Sequence, residues 1–345
     1  MALKLYLHIG HPKCGSSTIQ EALHLNRMAL RDLGYGVCGE DLKLMGRRAK
    51  HRFPLGYFLN AARTVWAGGA VDLRADFEAL YRSAKRARLK AVVVSAENLS
   101  AVWAPAAIAV AKDYFDCEII HYFRRQDDWL LSAWSQWHFK AGESLPAFIA
   151  RRMRSGRSGI YRDVLEEYLA HFPLPAMKVR LLSRKHLVGG DLVSDFWQAT
   201  GLEGAALAPV RSQNVSFSAQ LANTFKESAY LFEHGHDNRL TAYVDSHHRY
   251  ARGVKKDALT VAERRAILDR YADENEWLEK KFFAPGTLGD WCAIADVEDE
   301  AGRAERRRRD EPTLRGIAEM VSLNIAVLQQ MREDVDRLKA SLGLD

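Results

Sequence analysis

Residues 3–20 read LKLYLHIGHPKCGSSTIQ, and the interpretation of the whole chain turns on them. Leu3 to Ile9 is a short apolar run ending at a turn signal, which predicts a buried strand. Gly10, Pro12 and Gly15 punctuate a tight loop, and Ser17 to Leu33 reads as a helix stopped by Gly34 and Gly36. A strand, a glycine-containing loop and a helix start are the parts of a phosphate cradle. The first amides of a helix have no intrahelical acceptor, and the helix dipole favours an anion there. An ordinary turn between strand and helix is the bland alternative.

The composition of the loop narrows the choice. Gly10 and Gly15 have the spacing of the P-loop, but that motif continues with Lys and then Ser or Thr. Here Ser16 and Ser17 take those places, and the lysine lies inside the loop at Lys13. This arrangement resembles the 5′-phosphosulfate loop of sulfotransferases that use 3′-phosphoadenosine 5′-phosphosulfate (PAPS). Their pattern is roughly P-K-[ST]-G-[ST]-[ST], and Pro12-Lys13-Cys14-Gly15-Ser16-Ser17 departs from it only at Cys14.

The 345 residues suffice for one large α/β domain, or for a domain plus an appendage. The net charge of +6 fits an anionic ligand without indicating nucleic acid. No apolar run has the ~18–20 residues of a membrane helix. The N-terminus enters a strand directly, so no secretory signal is expected. Cys14, Cys38, Cys117 and Cys292 are far apart and form no C-x-x-C pair, which reads as reduced thiols in a cytoplasm. No His/Cys cluster has zinc spacing.

Further along, Lys90 to Glu97 contains the valine run of a strand covered on both faces. It delivers Ser95 and Glu97 at its carboxyl end, where ligands bind in open α/β sheets. Glu97 either serves such a site or caps the helix that follows. Cys117 to Phe123 is a third strand, followed by Arg124, Arg125 and a helix to about Lys140. Tyr161 to Phe172 reads as a helix, Met177 to Leu182 as a fourth strand, and Gly189-Gly190-Asp191 as the start of a helix from Leu192 to Thr200. Thr260-Val261-Ala262-Glu263 is a capping box opening a helix towards Lys281. Residues 37–70 read as loop plus short helices, and the basic residues from Lys43 to Arg52 as a flap or a solvated surface.

Arg124 and Ser132 carry a second resemblance: sulfotransferases hold the 3′-phosphate of PAPS with an arginine at a strand end and a serine eight residues on. Arg125 is the alternative arginine. The family is named on the two motifs together, and the succession from Met177 to Gly201 is similar to its bacterial, carbohydrate-type branch. The resemblance implies a P-loop-like parallel sheet flanked by helices. It implies transfer of a sulfuryl group from PAPS to an acceptor hydroxyl, with a carbohydrate or glycolipid leading, and no metal. Lys13 and Glu97 are then catalytic. Pro12, Cys14, Gly15, Ser16, Ser17, Thr18, Arg124 and Ser132 hold the nucleotide, and His51, Gln136 and Lys140 face the acceptor. Arg252, Lys255 and Lys256 form either a nucleotide lid or a solvated charge cluster. A P-loop-type nucleotide kinase and a non-catalytic nucleotide-binding scaffold are the competing readings.

The expected organisation is a sulfotransferase-like domain over 1–292, a charged linker over 293–312 and a helical segment over 313–345. On that helix Leu314, Ile317, Val321, Ile325, Leu328, Met331, Val335, Leu338 and Leu342 recur at three- and four-residue steps. The stripe suits either homodimerisation or docking on the domain.

Overall fold

A computed structural model describes residues 2–154, 159–210, 258–294 and 314–342, with 222, 225, 226, 229, 232–235 and 237. Five strands form one sheet: β1 (Lys4–His8), β2 (Tyr35–Val37), β3 (Ala91–Ser95), β4 (Asp116–Phe123) and β5 (Met177–Leu181). The strand order is β2-β3-β1-β4-β5, and every pairing is parallel. Parallel neighbours need crossover connections, and these supply the flanking helices. The helices are α1 (Ser16–Asp32), α2 (Leu55–Trp66), α3 (Arg74–Arg86), α4 (Ala104–Ile108), α5 (Gln126–Ala133), α6 (Leu145–Arg154), α7 (Arg162–His171), α8 (Leu192–Ala199), α9 (Val261–Arg270), α10 (Ala272–Phe282), α11 (Thr287–Cys292) and α12 (Leu314–Leu342).

The four strands expected from apolar runs are present, and β2 is an addition. Tyr35-Gly36-Val37 is too short and too glycine-interrupted to signal a strand, yet it pairs with Ala91 to Val93 at the sheet edge. Chain direction explains the site's location. After β1 the chain runs through α1 to the β2 edge, whereas after β3 it crosses β1 to reach β4. The carboxyl end of β1 is therefore a topological switch point, the place where ligands bind in open α/β sheets.

By compactness the chain divides into two units. The first is Met1–Arg125, Arg157–Gln213 and Tyr271–Trp291; the second is Gln126–Gly156, Asn214–Arg270 and Cys292–Asp345. The first holds the sheet, and its core includes Leu5, Leu7, Val92, Val93, Val94, Ile119 and Ile120, all fully buried. Burying each such side chain stabilises the fold by about 1.5–3 kcal/mol. Glu274 of α10 is also fully buried and accepts from the amides of Tyr161 (2.6 Å) and Arg162 (2.9 Å), capping α7.

In the second unit the capping box at α9 is formed. The Glu263 amide donates to Thr260 Oγ1 at 3.0 Å, and the Thr260 amide donates to Glu263 Oε2 at 2.8 Å. Arg264 of α9 then pairs with Asp127 and Asp128 of α5. After Ala133 the helix continues as a π turn over Trp134–His138 and a 3₁₀ turn over Phe139–Ala141. The expected terminal helix is α12, while residues 295–312 of the expected linker and residue 313 of the expected helix lie outside the described residues, as do Arg252, Lys255 and Lys256. Among the described residues no helix is long and apolar enough to cross a membrane.

Candidate functional site

The site is built on the carboxyl end of β1, wholly within the first unit. Pairing continues past the strand, since the Ile9 amide donates to Ile120 O at 3.0 Å. Gly10 follows, where a Cβ would lie 2.3 Å from Ser16 Oγ, so the loop folds back onto its helix only with glycine there. The Cys14 amide donates to His11 O at 3.1 Å and tightens the turn. Lys13 has φ 66°, the left-handed region, a backbone state costing an ordinary residue about 1–3 kcal/mol. Gly15, the N-cap of α1, has φ 87°, and a Cβ on it would sit 2.3 Å from Leu192 Cδ2. Its carbonyl accepts from the Thr18 and Ile19 amides, leaving Ser16 and Ser17 as the outward amides of the first turn.

Glu97 enters from β3. Ala96 is extended and N-caps the short 3₁₀ turn Glu97–Leu99, with no side-chain cap. Glu97 is thus the first residue of that turn and not its N-cap residue. Burial pushes its pKa up, while the Lys13 charge and the Ser16 hydroxyl partly oppose the rise. Those interactions put Lys13, Ser16 and Glu97 together at one place. A half-buried carboxyl with its pKa raised by burial, close to a lysine, has the properties of a proton acceptor.

Arg124 follows the last residue of β4. Its amide donates to the Tyr161 hydroxyl at 3.1 Å, and that hydroxyl donates to Arg124 O at 2.6 Å. Tyr161 thus grips both polar groups of one residue at the strand end. Cys14 Sγ lies 3.9 Å from the same hydroxyl. Burial pushes the Cys14 thiol up to about 12, against smaller opposing effects of Tyr161 and Arg124, while Glu97 adds to the rise. Cys14 is a packed thiol, close enough to Arg124 and Glu97 to feel both charges.

A layer of neutral histidines lies beneath. His8 Nδ1 is 2.8 Å from Ser95 Oγ, a pairing set by the His8–Ser95 register of β1 and β3. Gln20 Nε2 donates to Ser95 Oγ at 3.3 Å. His121 of β4 is fully buried, with its ring 5.9 Å from those of His11 and Tyr161. Burial pushes His121 down to about 3; burial and then the His121 charge do the same to His8. Neither Tyr161 nor this layer stands out in the sequence. Tyr161 is 37 positions from its partner, and histidines in apolar runs read as ordinary strand residues.

The remaining expected residues lie on other elements. Ser132 is buried in α5 of the second unit, and Gln136 is half-buried in the π turn of that unit. Lys140, also in the second unit, is 2% exposed, donates to Asp237 O at 2.7 Å and lies 5.7 Å over the Phe232 ring. His51 is exposed in the first unit, 3.2 Å from Glu21 of α1. Among the described residues no group of three His, Cys, Asp or Glu side chains is placed to share a metal ion.

Comparison of the chain with family models, curated proteins and solved structures returned no match at a significant level.

Proposed function

We propose that the protein is a PAPS-dependent sulfotransferase whose catalytic groups are Lys13 and Glu97. The observation that carries this reading is the meeting of Lys13, Ser16 and Glu97 at a helix start, at the carboxyl end of β1. In the Walker arrangement the lysine follows the second glycine. Here that position is Ser16, buried, with its hydroxyl donating to His11 O at 3.4 Å, and the lysine projects from the strained loop instead.

The reaction parallels phosphoryl transfer, with in-line attack, a loose transition state and catalysis by positioning and charge stabilisation. Glu97 takes the proton from an acceptor hydroxyl. The acceptor oxygen forms a bond to sulfur as the bond from sulfur to the bridging oxygen breaks. Lys13 neutralises the charge left on that bridging oxygen, and adenosine 3′,5′-bisphosphate departs. The loop amides with Ser16, Ser17 and Thr18 hold the 5′-phosphate. Arg124, fixed by Tyr161, serves the 3′-phosphate. The acceptor class carried by that resemblance is a carbohydrate or glycolipid.

The test is transfer of labelled sulfate from PAPS to a panel of polysaccharide and glycolipid acceptors. Wild-type protein transfers label and releases the bisphosphate, and Lys13→Ala abolishes both. Near-wild-type transfer by Lys13→Ala would overturn the assignment.

A further inference from the structure

The feature that sulfuryl transfer leaves unused is α12. Its 29 residues span about 43 Å at the helical rise of ~1.5 Å per residue. Seven large apolar side chains on it are strongly exposed: Ile317, Val321, Leu328, Met331, Val335, Leu338 and Leu342, from 47% to 68%. With Asn324, also exposed, they follow steps of 4, 3, 4, 3, 4, 3 and 4 without interruption. That is a heptad seam, with Val321, Leu328, Val335 and Leu342 at a and Ile317, Asn324, Met331 and Leu338 at d. Among the described residues these side chains are exposed.

We propose that α12 forms a parallel, in-register two-stranded coiled coil with a second copy of this chain. Charge complementarity selects the occupant and its direction. In this frame Asp334 is at g, and Arg332 and Lys339 are at e. A parallel pair sets g against the e position of the next heptad, so Asp334 meets the partner's Lys339, twice by symmetry. An antiparallel pair sets e against e and g against g, and so never brings Asp334 against Lys339. Within one helix Asp334 already pairs with Arg337 and accepts from Gln330 Nε2 at 3.1 Å, so it is ordered on this face. Asn324 is the single polar residue at a seam position among the described side chains. This inference rests on α12 alone and is independent of the sulfuryl-transfer reading.

Light scattering on the full chain at micromolar concentration is expected to give twice the 39.0 kDa chain mass. Leu328→Lys with Val335→Lys, at exposed positions, is expected to halve that mass without moving the thermal transition of the rest. A single-chain mass for wild type, or a dimer that survives the double substitution, would overturn the proposal. Direction is read separately with Leu338→Cys in a Cys292→Ser background. Mild oxidation is expected to link two chains, because d positions of a parallel in-register pair face each other. A dimer that yields no such link would overturn the parallel register.

Discussion

Replacing Tyr161 by Phe keeps the ring and removes one hydroxyl, so no cavity forms and the whole effect belongs to that oxygen. Two backbone groups of Arg124 then lose their partners, a carbonyl at 2.6 Å and an amide at 3.1 Å. A buried polar group left unpaired costs about 1–3 kcal/mol. Arg124 is half-buried, so water restores part of the loss, and the expected destabilisation is about 2–4 kcal/mol for the pair of groups. Urea unfolding followed by tryptophan fluorescence measures it, and the midpoint should fall with little change in slope. Affinity for adenosine 3′,5′-bisphosphate should fall in parallel, because the residue assigned to the 3′-phosphate is no longer held. A loss below about 0.5 kcal/mol, the scale of an ordinary surface substitution, together with unchanged affinity, would refute the argument that Tyr161 positions Arg124.

Other outcomes follow from the electrostatics. Burial, the largest influence on Glu97, raises its pKa in the fold, so its ionised form is disfavoured there and its contribution to stability falls as pH rises through the folded value. Glu97→Gln should therefore melt at or above the wild-type temperature at pH 7–8 and converge with it in acid, while turnover falls by about 10²–10⁴-fold; lower stability at neutral pH would contradict this. His8 and His121 have the opposite sign. Their folded values near 3 lie below the unfolded 6.5, so stability is complete above pH 6.5 and is lost progressively below it. The loss should approach about 1.4 kcal/mol per pH unit for each histidine, and His121→Phe should remove one such contribution from the pH dependence of unfolding. Cys14, with its thiol pushed up to about 12, should resist iodoacetamide at pH 8 in the folded protein and react in denaturant; rapid labelling of the native protein would contradict its packing.

Much of the fold was readable because parallel strands buried on both faces announce themselves as apolar runs, as Val92 to Val94 do. The Tyr35–Val37 strand was not, since three residues with a central glycine are stabilised by their neighbour and not by their own pattern. The position of Glu97 followed from a topological rule, carboxyl ends of strands, and its approach to Lys13 and Ser16 follows from the same geometry. Tyr161 was illegible because its role depends on a hydroxyl meeting a backbone far away in the chain. The burial of Lys140 was hidden likewise: its ammonium is used by Asp237 O, a contact that no local spacing encodes. The two-unit division also escaped the sequence, because Gln126 to Gly156 leaves the first unit in mid-chain without any change of composition.

The central claim is that the loop at Lys13 grips a phosphosulfate nucleotide, and it is tested most directly without knowing the acceptor. Calorimetric titration with adenosine 3′,5′-bisphosphate, and separately with ATP plus Mg²⁺, distinguishes the donor. Metal-independent binding of the bisphosphate, weakened by Arg124→Ala, with no comparable binding of Mg²⁺-ATP, is the expected result. Binding of Mg²⁺-ATP with no heat from the bisphosphate would contradict it.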